Sequence, residues 1–202
     1  MMRLIPVALA VVTLAFQAES NETWRGLVVT PENRCSDYVS DDYSYPQSVE
    51  PQIIEAMGGR IYGPYTGTCS SSTQETDIEH IVARSEAHDS GLCSADAETK
   101  RNFASDLLNL TLASPSVNRH QKSAKDAGDW LPELNQCWFA ERVVRVRAKY
   151  GLTIDQREAD TLERVLSACE STTIVFAECA TGQDAPNFRL CELSGQQLVL
   201  YP

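Results

Sequence analysis

The chain is poor in the groups that hold a metal through sulfur or imidazole. It has three histidines, His80, His88 and His120, and none of its seven cysteines forms a C-x-x-C pair. A structural zinc site is normally marked by such close pairs, so the cysteines are read as disulfide partners instead. Positive charge is also scarce: 17 Lys and Arg face 28 Asp and Glu, a formal net charge of -11 with a pI near 4.7. That balance excludes long-range steering toward polyanions, and a nucleic-acid partner would need a local basic surface. After the first twenty residues no apolar run is long enough to cross a bilayer, and there is no internal repeat. At 202 residues and 22.3 kDa, one domain is expected.

The leader-like stretch comes first. Arg3 precedes an apolar run from Leu4 to Phe16, followed by small and polar residues from Ala18 to Ser20. This layout predicts a secretory signal peptide over 1–20, a run too short for a transmembrane anchor of about 20 apolar residues. All seven cysteines fall after it, as expected of an exported chain with disulfides. Their number is odd, so at least one thiol is unpaired or pairs between chains, and connectivity does not follow from spacing.

The rest of the chain reads as alternating short elements. Gly26–Thr30 predicts a strand-like piece, and the Asp- and Tyr-rich run from Cys35 to Gln47 a solvated loop tied down by aromatics. Val49–Met57 predicts a short helix stopped by Gly58-Gly59. Asp77–Val82, D-I-E-H-I-V, predicts a buried strand, and Leu107–Leu112 a second one; between them Ser94 or Asp96 can cap a helix that runs through Phe103. Another helix is expected from Pro115 or Ser116 toward Lys125. The longest helical pattern is Pro132–Tyr150, with Leu134, Trp138, Val144 and Ala148 as one buried stripe and Gly151 as C-cap. Thr153-Ile-Asp-Gln156 fits a capping box for a helix reaching Cys169. The segment 171–202 reads as a disulfide-pinned tail with strand-like pieces at Ile174–Phe176 and Gln197–Tyr201.

Three polar landmarks stand in order on these elements: Glu79-His80 on the first strand, Asn109 in the second, and Asn118 early in the following helix. D-I-E-H-I-V, L-L-N-L-T-L and S-V-N-R-H-Q-K together resemble the HNH, or ββα-metal, endonuclease family in the variant whose last letter is Asn. The flanking A-R-S-E-A-H-D-S-G-L, F-A-S-D-L-L-N-L and D-A-G-D-W-L-P segments strengthen the likeness to exported bacterial-type HNH proteins. The core of the match is 77–130. The resemblance implies an α+β fold: a ββα-metal core embedded in a mainly helical, disulfide-stabilised single domain over 21–170.

It also implies a chemistry. Phosphodiester hydrolysis needs a base to take a proton from water and a cation to neutralise charge on the phosphate and the leaving alkoxide. By resemblance His80 is the general base, Asn109 holds its ring by a hydrogen bond, and Glu79 and Asn118 are ligands to one divalent ion. Many family members have Asp in place of Glu79, and Asp77 lies on the same strand face, so either carboxylate could reach the ion; Glu79 is the expected direct ligand and Asp77 the group behind it. Oxygen donors suit Mg²⁺, with Mn²⁺, Ca²⁺ or Zn²⁺ as alternatives.

Arg84, Arg119, Lys122 and Lys125 are expected to meet phosphate oxygens. Lys122 matches the family's basic residue after the last motif letter, one place later than in several members. With Arg142, Arg145, Arg147 and Lys149, the helical residues Arg119, Lys122 and Lys125 give seven cations between 119 and 149 against four acids, which supplies the local basic surface. The implied function is a secreted, metal-dependent endonuclease of low sequence specificity that acts on DNA and possibly RNA, leaving 5′-phosphates. The alternative is a non-catalytic exported binding protein that keeps the HNH frame. Asn109-Leu-Thr111 is formally a glycosylation sequon, and a glycan there would be incompatible with Asn109 supporting the site.

Overall fold

The strand pair that carries the motif is built from two short strands, β5 and β6, of a chain that makes little other sheet. In chain order the elements are β1 (Thr23–Trp24), β2 (Leu27–Val28), α1 (Glu50–Ala56), β3 (Tyr62–Gly63), β4 (Thr68–Cys69), β5 (Asp77–His80), α2 (Arg84–Asp89), α3 (Ala97–Ser105), β6 (Leu110–Ala113), a π-helix (Val117–Lys122), α4 (Gln136–Tyr150) and α5 (Gln156–Ser167). They come from a computed structural model that describes residues 22–179. The predicted signal peptide, Cys191 and the strand-like piece Gln197–Tyr201 lie outside those residues.

β5 and β6 pair antiparallel with Asp77 opposite Ala113, Ile78 opposite Leu112, Glu79 opposite Thr111 and His80 opposite Leu110. Because side chains alternate along a strand, this register sorts the motif onto two faces. Ile78, Leu110 and Leu112 bury against Val49 and Ile53 of the α1 region. Asp77 and Glu79 turn to the other face, where the π-helix lies. Helix, strand pair and helix thus form a sandwich with the strand pair at its centre, in a mixed α and β architecture in which α2 and α3 lie in the chain between β5 and β6.

Local chemistry places the element ends. Asp96 accepts from the Thr99 amide at 2.7 Å and starts α3, while Gly151, at φ 62°, ends α4 in the left-handed region where glycine carries no steric cost. The capping-box expectation is corrected by two residues. Asp155, not Thr153, caps α5, accepting from Glu158 N at 2.8 Å, and Thr153 instead donates to the Ser90 carbonyl. Leu107 to Asn109 form a turn, so Asn109 stands just before β6. Leu134 precedes α4, exposed rather than part of a buried stripe. Ile174–Phe176 forms no strand.

The main core joins Tyr43, Tyr62, Tyr65, Phe103, Phe139, Val143, Val146 and Leu162. Three disulfides clamp it, Cys35–Cys93, Cys69–Cys179 and Cys137–Cys169. Each cross-link of this kind contributes about 2–5 kcal/mol in a small domain. Cys69–Cys179 ties the end of the described chain to β4. Among the described residues no helix is long and apolar enough to cross a membrane.

One charged group lies at the centre of the helical half. Arg147 of α4 is fully buried, 2.7 Å from Glu86 of α2 and 2.5 Å from Glu158 of α5, and it also donates to Ser90 Oγ. Glu32 adds a further carboxylate beside Glu86. The guanidinium stays charged between its carboxylates, and the excess of acids keeps a proton: burial first, then Glu86, pushes Glu32 up to about 7, and burial raises Glu158 to about 7 against the pull of Arg147. A carboxyl whose folded value lies above its unfolded one stabilises fully below the unfolded value and loses that contribution as pH rises. The melting temperature of Glu158→Gln relative to wild type should therefore climb as pH goes from 4.5 to about 7; a pH-independent difference would contradict this account of the cluster.

Candidate active site

β5, the π-helix and the loop before α1 border a cleft of about 520 Å³ whose lining includes Asp77, Glu79, His80, Arg84, Asn118 and Arg119, together with Tyr38, Tyr45, Gln47 and Glu50. The structure therefore brings together the expected base, the expected ion ligands and two of the four expected phosphate-binding cations.

His80 is 6% exposed. Its Nε2 lies 2.8 Å from the Ala104 carbonyl. A carbonyl only accepts, so Nε2 carries the ring proton and Nδ1 keeps the lone pair. The Tyr45 ring meets the imidazole edge-on, centroids 5.0 Å apart. Burial, and then the positive charges of Arg84 and Lys122, hold the imidazole down at about 3, so it is neutral at any ordinary pH.

Asn109 does not touch that ring. It is fully buried and clamps Val82 from both sides, accepting from the Val82 amide at 2.8 Å and donating to the Val82 carbonyl at 3.2 Å. The expected hydrogen bond to His80 is replaced by Ala104, and Asn109 instead fixes the turn that leaves β5. The reason is geometric: Asn109 precedes β6 and so faces the chain just beyond His80, with its backbone carbonyl accepting from Ile81 at 2.8 Å. With both ends of its amide engaged inside the protein, the Asn109 sequon is closed in the folded state.

On the other face, Asp77 is saturated. Arg119 forks onto both of its oxygens at 2.6 and 2.8 Å, and Asn118 Nδ2 donates to Oδ2 at 3.1 Å. The Arg119 hydrogen bonds hold the Asp77 carboxyl below the usual carboxylate range. The amide bond to Asp77 also fixes which way Asn118 points, leaving its carbonyl oxygen as a free acceptor.

Glu79 is buried, and burial raises its carboxyl while Lys122 opposes the rise. Lys122 Nζ lies 2.7 Å from Glu79 Oε1, an ion pair not aligned as a hydrogen bond, and donates to the His80 carbonyl at 2.9 Å. This overturns the expectation that Lys122 meets substrate: its side chain is fully buried beneath the site. The π-helical turn explains the displaced lysine. Ser123 N bonds to Asn118 O, five residues back, so an extra residue fits into the turn and Lys122 still comes round under Glu79.

The wider basic surface is not free either. Lys125 turns back to the Gln121 carbonyl. Arg145 pairs with Glu141, Lys149 with Asp106, Arg147 is internal, and Arg142 lies over Trp138 and donates to Leu108 O. His88 is a buried hydrogen-bonding residue, between Tyr43 Oη and the Ser36 carbonyl. Sequence reasoning missed Tyr45, Tyr38 and Ala104, whose roles depend on folding alone.

The residues fit a hard divalent ion. Glu79 and Asn118 offer one charged and one neutral oxygen donor at one end of the cleft, and Glu79 Oε1, Thr111 Oγ1 and Tyr65 Oη are buried polar atoms without a hydrogen bond in the protein. The Glu79–Lys122 pair is testable by a double-mutant cycle in urea. Lys122→Met strands a buried carboxylate and should cost about 3–5 kcal/mol, and adding Glu79→Gln should recover at least about 1 kcal/mol through the coupling between the sites. Strict additivity would contradict the pairing.

No solved structure matches the chain. A secreted protein of Arthroderma benhamiae, described as uncharacterized, is 29% identical over 117 residues, which is 56% of this chain and 57% of that relative's length. Residues 37–164 match the family described as GmrSD restriction endonucleases, C-terminal domain. This span takes in the strand pair, the π-helix and most of α4 and α5, and the chain therefore belongs to that HNH endonuclease-type family.

Proposed function

We propose that the protein is a secreted, metal-dependent endonuclease that hydrolyses phosphodiester bonds with low sequence specificity. The observation that carries this reading is the pairing, across one cleft, of a neutral imidazole having a free Nδ1 with the Glu79 and Asn118 oxygens.

A divalent ion held by Glu79 and Asn118, most simply Mg²⁺ for such oxygen donors, would neutralise charge on the scissile phosphate and the departing oxygen. The protein's own groups do the rest. His80 takes a proton from water at Nδ1 while Ala104 holds the ring by Nε2–H. Arg84 lines the same cleft, and a bound phosphate offsets the guanidinium charge that otherwise depresses the imidazole, so basicity rises on substrate binding. Asp77 orients Asn118 and is itself held by Arg119, which makes it a supporting group rather than a direct ligand. Asn109 fixes the backbone that presents His80. Secretion is supported by the three disulfides, the leader-like N-terminus and the secreted relative.

Incubation of the oxidised mature chain with plasmid tests the reading. Cleavage should require a divalent ion, stop on chelation and fall by about 10²–10⁴-fold in His80→Ala. Its acid limb should lie well below 6.5, because the free imidazole is already neutral there. Full activity in His80→Ala, or in chelator, would sink the mechanism.

A further inference from the structure

The cleft has the wrong electrostatics for a duplex. Its lining carries Arg84 and Arg119 against Asp77, Glu79 and Glu50, and Arg119 is committed to Asp77. Most of the cations that could have extended the site along α4 are paired or buried. Duplex DNA presents about one charge per 1.7 Å of axis, twice the linear density of a single strand, and its binding demands a correspondingly long array of free cations. The chain as a whole, at -11, opposes such an array.

What the lining does offer, beside the imidazole, is aromatic. Tyr45 stands between His80, 5.0 Å away ring to ring, and Arg84, whose guanidinium lies 5.6 Å over the Tyr45 ring. Tyr38 lines the same cleft. Arg84 is steadied by a hydrogen bond to the Tyr43 carbonyl at 3.3 Å, which leaves its other donors for a ligand. A partly exposed aromatic ring beside an oriented guanidinium suits an unstacked base and its adjoining phosphate. Bases inside a duplex are stacked and show no free face.

We propose that the Tyr38, Tyr45 and Arg84 wall is a subsite for an unstacked nucleobase and its phosphate, so that single-stranded nucleic acid is the preferred substrate class. This rests on the phosphodiesterase reading above and narrows it.

The test is binding, measured by fluorescence anisotropy with His80→Ala protein in chelator, using an oligonucleotide of about ten nucleotides and its duplex. The single strand should bind at least about tenfold more tightly than the duplex. Tyr45→Ala should lose about tenfold on the single strand with little change on the duplex, and Tyr45→Phe should retain single-strand affinity. The salt dependence should be shallow, a log–log slope near -1.4 for about two phosphate contacts, and Arg84→Ala should flatten it by about 0.7. Equal or tighter duplex binding would overturn the proposal, as would unchanged single-strand affinity in a Tyr45→Ala protein that keeps its melting temperature. The single-strand to duplex ratio needs no Tyr45 variant, so a poorly folded variant does not shelter the idea. Since binding is read without turnover, its failure is separate from that of the nuclease reading, which falls only if wild-type protein with divalent ions cuts neither form.

Discussion

The buried pair of Glu79 and Lys122 is the constraint on which the site depends. A carboxylate removed from water pays a desolvation cost of several kcal/mol unless a counter-charge lies beside it. Lys122 supplies that charge at 2.7 Å and is tied to the His80 carbonyl at the same time. One ammonium thus stabilises the expected ion ligand in its charged form and holds the backbone of the expected base. It can do so only because the turn that carries it is a π-helix, so an irregularity in backbone winding decides the electrostatics of the cleft.

The two faces of β5 divide the chemistry. Asp77 and Glu79 look toward the π-helix, where Asn118, Arg119 and Lys122 meet them. Ile78 looks toward α1 and anchors the strand in a small apolar cluster. His80, at the strand end, is held by Ala104 of α3 and abutted by Tyr45. Four separate segments therefore converge on one imidazole and one carboxylate. The disulfides and the Arg147 network keep those segments in register at a distance from the cleft, stiffening a domain with little sheet of its own.

The sequence made the strand pair and its register-setting apolar residues legible, and it singled out His80, Glu79 and Asn118, which the fold brings to one cleft, because those depend on residue type and short-range spacing. α1, α3 and the C-terminal end of α4 were legible through Pro, Asp96 and Gly151 for the same reason, while α4 starts at Gln136, four residues after the expected Pro132. What was not legible depends on pairing across long separations. Lys122 looked like a surface cation until Glu79, far away in sequence, claimed it; Arg147 looked like part of a basic stripe until Glu86 and Glu158 closed around it. Asn109 was placed in the right neighbourhood but on the wrong partner, since β6 begins at Leu110, three residues later than expected, and Asn109 in the preceding turn bonds to Val82 rather than to the ring. Asp155 took the cap from Thr153 because Thr153 was used by Ser90.

The central claim is that Glu79 and Asn118 form one oxygen-donor ion site whose charge balance is set from beneath by Lys122. Titration of the protein with Mn²⁺, followed by electron paramagnetic resonance, reports that site without reference to turnover. The account predicts one bound ion in wild type, weakened by at least about tenfold in both Asn118→Ala and Glu79→Gln, as losing a ligand or its supporting group typically does. Mn²⁺ binding that is unchanged by both substitutions would contradict it.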